Sequence, residues 1–318
     1  MSGMGGGGAA RVRDGLRSAR DRGGDAMRRA LGVQPGRGFY DDRPSPATLV
    51  TLARLRARNL AGRSAVFGDA PVAVVMTTTA ARIASVWAAI ESIGAGAVRP
   101  RRLILWLDDP ELAELPTSLR RLERRGLEVH HVDPGLRVHT KWWPYVRGIP
   151  AHAVPMVTSD DDQLYPHRWL QRLVEVAQRH PDAVVAHRAH RVALATEGLA
   201  PYTAWQPVRS TTPSFANFGT SVSGQLFPPA LLDRLREAGT RFLETAPNAD
   251  DVWLFAQAVG AGMRVVQTSA EPANYPFVPG SQASGLYLEN VLHEGNDRQL
   301  ASALSDAELA RIALDLTP

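Results

Sequence analysis

Between Pro71 and Thr268 the chain alternates short β-branched apolar blocks with longer stretches whose apolar residues recur at helical spacing. VAVVM (Val72 to Met76), LILWL (Leu103 to Leu107), LEVHHV (Leu127 to Val132), AVPMVTS (Ala153 to Ser159), AVVAHRAH (Ala183 to His190) and MRVVQT (Met263 to Thr268) read as strands. Helices are predicted over Pro46 to Asn59, Ala80 to Ile93 with Gly94 closing it, Thr117 to Arg125, Arg168 to His180, Ala230 to Ala238, Asp250 to Ala261 and Asp306 to Leu314. Such alternation predicts an α/β fold with a mainly parallel sheet flanked by helices. Glu197 to Pro229, rich in Pro, Ser, Thr, Gly and aromatics, lacks periodicity and is expected to form loops that shape a site. Glu271 to Asn296 is a second loop-rich stretch, and no internal repeat is visible. The expected organisation is an N-terminal arm over residues 1–45, one main domain over 46–296, and a C-terminal helix within 297–318 that packs on the domain or trails it.

Composition narrows the chemistry. With 318 residues, 44% of them apolar, the chain can bury a sizeable core as one large domain. It has no cysteine, which excludes disulfides, thiolate zinc sites and a cysteine nucleophile, and leaves carboxylates and histidines as metal ligands. Lys and Arg number 36 against 32 Asp and Glu, a near balance that argues against a nucleic-acid partner. No apolar run approaches the roughly 20 residues of a membrane span, and the Gly-rich start lacks the hydrophobic core of a secretory signal, so the expected address is the cytoplasm. The arm carries Arg11, Arg13, Arg17, Arg20, Arg28 and Arg29 among flexible glycines. It reads either as a solvated, disordered tail or as a basic segment lying on anionic lipid at the inner membrane face, beside a membrane-bound acceptor.

In open parallel sheets ligands bind beyond the carboxyl ends of the strands. Here those ends are polar: Thr77, Thr78 and Thr79 with Arg82 after the first strand, Asp108 and Asp109 after the second, and Asp160, Asp161 and Asp162 after the fourth. Three adjacent acids repel one another and stay ionised together only when a cation compensates them, although a solvated acidic turn is the simpler alternative. Oxygen ligands without sulfur favour Mg2+ or Mn2+, which keep coordination positions open for substrate phosphates and can neutralise a departing diphosphate. Lys141, in HTKWWPY, either adds a point charge on those phosphates or is an ordinary surface lysine. Asp250 and Asp251 open a helix in which Asn248 is a natural N-cap. Both acids complement the helix dipole, or one caps while Asp251 accepts the proton of an attacking hydroxyl.

The segments TTTAARI, TSDDDQLYPHRWL, FGTSVSGQLFPPALL and NADDVWL, in this order, resemble bacterial glycosyltransferases of the GT-A fold, and in particular their family 2-like members. The likeness spans about Val72 to Asn296. It implies a Rossmann-like GT-A catalytic domain, a nucleotide-sugar donor, a divalent metal, and a glycan or lipid-linked acceptor, in glycan or polysaccharide synthesis. Carried over residue by residue, Thr77 and Arg82, with Thr78 between them, fall where the family contacts the nucleotide, and Asp108 where an acid meets the base. Asp160 and Asp162 fall at the metal-binding pair, with Asp161 between them at the donor, and Asp251 falls at the base of inverting members. Two departures are Asp250, where Glu is commonest, and WLDDPEL after the second strand. His293, in LHEGND, stands where related enzymes close a C-terminal segment over the diphosphate, either as an extra metal ligand or as a surface histidine.

Two other functions share parts of this pattern. A sugar nucleotidyltransferase would also hold phosphates through a metal, but it generally has a Gly-rich phosphate loop after the first strand, and TTTAARI has no glycine. A non-catalytic carbohydrate-binding relative would not need both acid clusters. Trp142, Trp143, Tyr202, Trp205, Phe215 and Phe218 either stack on sugar rings or fill the core. Gly219 and Gly224 either let the backbone approach a ligand or form an ordinary turn.

Overall fold

A computed structural model describes residues 42–196, 198–284 and 295–316. Nearly all of the proposed N-terminal arm, and His293, lie outside them. Seven strands form the main sheet in the order β10-β5-β9-β4-β1-β2-β3. They are β1 (Ala70–Thr77), β2 (Pro100–Leu107), β3 (Glu128–His131), β4 (Met156–Thr158), β5 (Val184–Ala186), β9 (Gln225–Phe227) and β10 (Val265–Gln267). β1 pairs in parallel with β2 and β4, and β2–β3 and β5–β10 are parallel pairs, whereas β9 runs antiparallel between β4 and β5. The fold is therefore α/β with a mostly parallel sheet, as the alternating pattern predicts.

Every residue of β1 from Val72 to Met76 is buried because both sheet faces are covered. Alternate residues feed separate cores: Ala73, Val75, Ile104, Met156 and Phe227 point to one, and Val72, Val74, Met76, Leu103 and Leu105 to the other. The first core is closed by α4 (Trp143–Arg147), α6 (Pro229–Ala238) and α8 (Asp250–Gly260), with α9 (Gly295–Ala303) and α10 (Asp306–Leu314) packed on α8. The second core is closed by α2 (Trp87–Gly94), α3 (Thr117–Glu123) and α5 (Trp169–Arg179). A short helix, α7 (Phe242–Thr245), precedes α8, and α1 (Pro46–Ala61) leads into the domain. Ser45 caps α1 by accepting from the Thr48 amide at 3.1 Å, and Pro46 occupies its first turn.

Several local expectations are corrected. The helix expected over Ala80 to Ile93 starts only at Trp87, because residues 80–86 form turns and Arg82 is held sideways by acids across the sheet. AVVAHRAH breaks after Ala186, and its end, β6 (Ala189–Arg191), joins a separate small sheet with β7 (Gln206–Pro207) and β8 (Asn217–Gly219). The expected loop region Glu197 to Pro229 thus supplies three short strands, among them β9 inside the main sheet. Each is at most three residues long, too short for a period to show. Gly224 adopts φ +97°, and a Cβ there would stand 2.7 Å from the Trp169 ring, so this glycine serves packing. Gly219 likewise leaves room for the Gln225 side chain. All six loop aromatics noted above are at most 9% exposed, in the core.

A buried charge cluster ties α1 to the domain. Glu91, fully buried on α2, accepts two bonds from Arg125 at 2.5 and 3.1 Å, one from Arg58 at 3.1 Å and one from Asn59 at 3.1 Å. Breaking such a pair strands the remaining charge in a low-dielectric site. Glu91→Gln is expected to cost about 3 kcal/mol in denaturant unfolding at neutral pH, with Arg125 left facing a neutral amide.

Candidate functional site

The chain proceeds from β1 outward to β2 and β3 and then returns to the other side of β1 as β4, so the strand order reverses between β1 and β4. At such a switch point the loops leaving two neighbouring strands diverge and open a crevice. A cavity of about 580 Å³ lies there. Its wall includes Thr77, Thr78, Thr79 and Arg82 after β1, Asp108 after β2, Asp160 to Asp162 after β4, Arg188 after β5, and Asp250 and Asp251 at the start of α8. Thus every described residue that the sequence pattern and the resemblance assign to the donor, the metal or the base lines one cavity, whereas Asp109, Gly219, Gly224 and five of the six loop aromatics do not.

Their side chains are bound to one another in a definite order. Asp161 turns inward: its Oδ2 accepts from the Thr78 hydroxyl at 2.5 Å and from Arg82 Nε at 2.9 Å. Asp162 accepts from Gln282 Nε2 at 2.9 Å and makes a longer contact with Arg82 at 3.5 Å. Lys141, far from being a surface lysine, is 9% exposed and donates to Asp160 Oδ1 at 2.8 Å. It also stands 3.2 Å from Asp250 Oδ2, a charge contact whose alignment falls short of a hydrogen bond. Burial pulls Lys141 down, but the charges of Asp160 and Asp250 outweigh it and hold the ammonium well above its usual range. Lys141 thus spans the two acid clusters, and cations of the chain itself provide part of the compensation that the aspartate triplet requires.

The two acids of α8 differ in their surroundings. Asp250 is 6% exposed, and its Oδ1 accepts from Ser221 Oγ at 3.0 Å and from the Asp251 amide at 3.1 Å. Asp251 is half-buried, and its Oδ1 accepts the Val252 amide at 3.0 Å, inside its own helix turn. Burial, and then the negative charge of Asp250, push the Asp251 carboxyl up to about 7. Burial and the charges of Asp161 and Asp160 likewise push Asp162 up to about 7, and Asp161 is raised, chiefly by burial, against the pull of Arg82. Asn248 is not the N-cap. Ala249 holds that position with no side-chain bond, and Asn248 Oδ1 accepts instead from Arg137 at 3.0 Å across the cavity wall.

Thr77 donates to the Trp106 carbonyl at 2.9 Å, which anchors the end of β1 to β2, and Asp108 accepts from Thr140 at 2.8 Å. Residues missed from the sequence are Ser221, Gln282, Arg137, Arg188 and Asn296, all in the cavity wall. Arg188 was detectable in principle, since it follows the end of β5, whereas Gln282 sits in a single 3-10 turn (Ser281–Ser284) within an aperiodic stretch and shows no signal. Arg137 and Ser223, the non-glycine residues with positive φ among those described, are in the wall and beside it. Ser223 is held there by bonds from its amide to Gln163, from its hydroxyl to Ala273 and from the Trp169 indole to its carbonyl, so the 220–224 loop is fixed in place.

Among the described residues, no group of three or more acids or histidines is arranged to hold a metal by itself. Nor is any helix among them long and apolar enough to cross a membrane. No protein-family model and no curated protein matches the chain. Among solved structures it is similar to 4-diphosphocytidyl-2C-methyl-D-erythritol synthase from Anaerococcus prevotii, with a TM-score of 0.44 and 10% identity, over 70% of this chain and 98% of that one.

Proposed function

We propose that the chain is a metal-dependent glycosyltransferase that moves a sugar from a nucleoside-diphosphate donor to a hydroxyl acceptor with inversion. The observation that carries this reading is the charge of the cavity wall, where six carboxylates (Asp108, Asp160, Asp161, Asp162, Asp250, Asp251) face four cations (Arg82, Arg137, Lys141, Arg188). An excess of negative charge repels a diphosphate, so such a ligand enters only with a cation that reverses the local sign. Burial first, and neighbouring carboxylates after it, raise the pKa of Asp161, Asp162 and Asp251, so each of these carboxyls gives up its proton less readily than a free aspartate.

The donor set suits Mg2+ or Mn2+, with Asp160 and Asp162 as ligands and the diphosphate oxygens completing the shell. Such an ion supplies Lewis-acid stabilisation of the departing diphosphate. Asp161 is committed to Thr78 and Arg82, and in this reading it braces the loop that presents its neighbours. Lys141 holds Asp160 in place and, through Asp250, sets the distance between the metal pair and α8. Asp251 is the general base: its carboxyl sits near 7, where a base is half-ionised at neutral pH and strong enough to take a hydroxyl proton.

A thermal-shift panel tests the reading. Nucleoside diphosphates with Mn2+ are expected to raise the melting temperature by several degrees at concentrations well above Kd, and either component alone to raise it far less. Equal stabilisation by the nucleotide without metal would overturn the charge argument. Because the Asp251 carboxyl must be ionised in the free enzyme to act as a base, kcat/KM is expected to climb up to about pH 7 and level off above it, as read from initial rates of sugar transfer.

A further inference from the structure

Helix α1 is built the wrong way round for an ordinary surface helix. Its inward face buries Thr48, Leu55 and Asn59, two of them polar, whereas Leu49, Val50 and Leu60 are 52%, 51% and 57% exposed. At about 100° per residue, Leu49, Leu60, Ala53, Ala57 and Val50 fall in that angular order within one arc of roughly 100°. Ala53 and Ala57 are exposed as well. Arg56 and Arg54, both exposed, flank the two edges of the arc, and the helix contains no acid. Neighbouring α3 adds exposed Arg120 and Arg124 against Glu123. Residues 1–41, which lead into this helix, hold eight arginines and four aspartates in sequence.

We propose that this face of α1 is a docking surface for an anionic lipid bilayer. An apolar stripe edged by arginines matches the two requirements of the lipid interface: aliphatic side chains enter the acyl boundary while guanidinium groups remain at the headgroup level and meet negative charge there. Leu49, Val50 and Leu60 lie together on one arc with Ala53 and Ala57 between them, a contiguous patch rather than the singly scattered apolar residues ordinary on an aqueous surface. The polar inner face is satisfied without lipid, since Asn59 donates to Glu91 and Ser118, so docking requires no rearrangement of the core. The segment is also coupled to the cavity. Asp42, just before α1, accepts from the Gln282 amide at 3.0 Å, and the Gln282 side chain donates to Asp162.

The test is co-sedimentation of the full chain with vesicles of phosphatidylcholine alone and of phosphatidylcholine with phosphatidylglycerol. Binding to the anionic vesicles only is expected. The double variant Leu49→Ser, Leu60→Ser is expected to weaken it by about tenfold or more. Arg54→Gln with Arg56→Gln should weaken it as well, and more at low salt than at high salt. All four positions are exposed, so unchanged thermal melting will show that the variants fold. Undiminished binding by the leucine variant would assign the contact to the preceding basic segment and overturn the proposal. So would an absence of binding to either vesicle, or light scattering that shows the face buried in a dimer that the same variant dissociates. Vesicle binding is scored apart from sugar transfer, so either reading can fail without the other.

Discussion

Asp251→Asn is expected to lower turnover by roughly 100-fold or more while leaving folding and donor affinity in place. The amide oxygen can still accept the Val252 N–H that the carboxylate now takes at 3.0 Å, so the first turn of α8 survives. What the amide cannot do is accept a proton, and no neighbour can replace it. Asp250, the nearest carboxylate, is occupied by Ser221, by the Asp251 amide and by the charge of Lys141. Asp250→Asn is therefore expected to cost less in rate. It also removes the charge that helps to raise Asp251, so the pH–rate profile should move to lower pH. Rates measured from pH 5 to pH 9, together with analysis of the product anomer, check both statements. Native turnover in the Asp251 variant, or a product of retained configuration, would return Asp251 to the helix cap.

Asp162→Asn should abolish metal-dependent binding of nucleoside diphosphate and at the same time stabilise the metal-free protein above neutral pH. The binding loss follows from removing one anionic oxygen donor of the pair on which the ion depends. The stability gain follows from linkage. The folded-state Asp162 titrates at about 7, against 3.8 for an unperturbed aspartate, so between those values the folded chain binds the proton more tightly than the unfolded chain does. The resulting stabilisation is fully present below about pH 4 and is lost as pH rises through about 7. An asparagine does not titrate, and it keeps an oxygen for Gln282. The variant should thus match the native protein near pH 4 and exceed it at pH 8 by on the order of 4 kcal/mol. Titration calorimetry with Mn2+ and nucleoside diphosphate reads the first effect, and melting across pH without metal reads the second. Unchanged affinity would remove Asp162 from the metal site.

Much of the architecture and the composition of the site were legible in the residue pattern. β1, β2 and β4 show as apolar blocks because burial on both faces demands apolar residues at most of their positions, whereas β3, at the sheet edge, is polar and partly exposed. Polar strand ends show as Thr77 to Thr79, Asp108 and Asp160 to Asp162 because the chain leaves the core there. The residue pattern thus carries the α/β alternation, the polar end of the sheet, and the abundance of acids at that end.

How those acids are shared out depends on contacts between distant parts of the chain. Lys141 precedes Asp160 by 19 residues and Asp250 by 109, and nothing in HTKWWPY marks it as the cation between them. Asp250 and Asp251 are chemically identical neighbours in different surroundings, because the Ser221 hydroxyl, 29 residues earlier, bonds Asp250 and Lys141 stands 3.2 Å from it, whereas Asp251 accepts the Val252 amide in its own helix turn. β9 inserts antiparallel into the middle of the sheet with three residues, where its partners on β4 and β5 supply the register that so short a segment cannot encode. Period and polarity are local properties that one stretch of chain can express, whereas ionisation, burial and pairing depend on which distant groups the fold brings within a few ångströms.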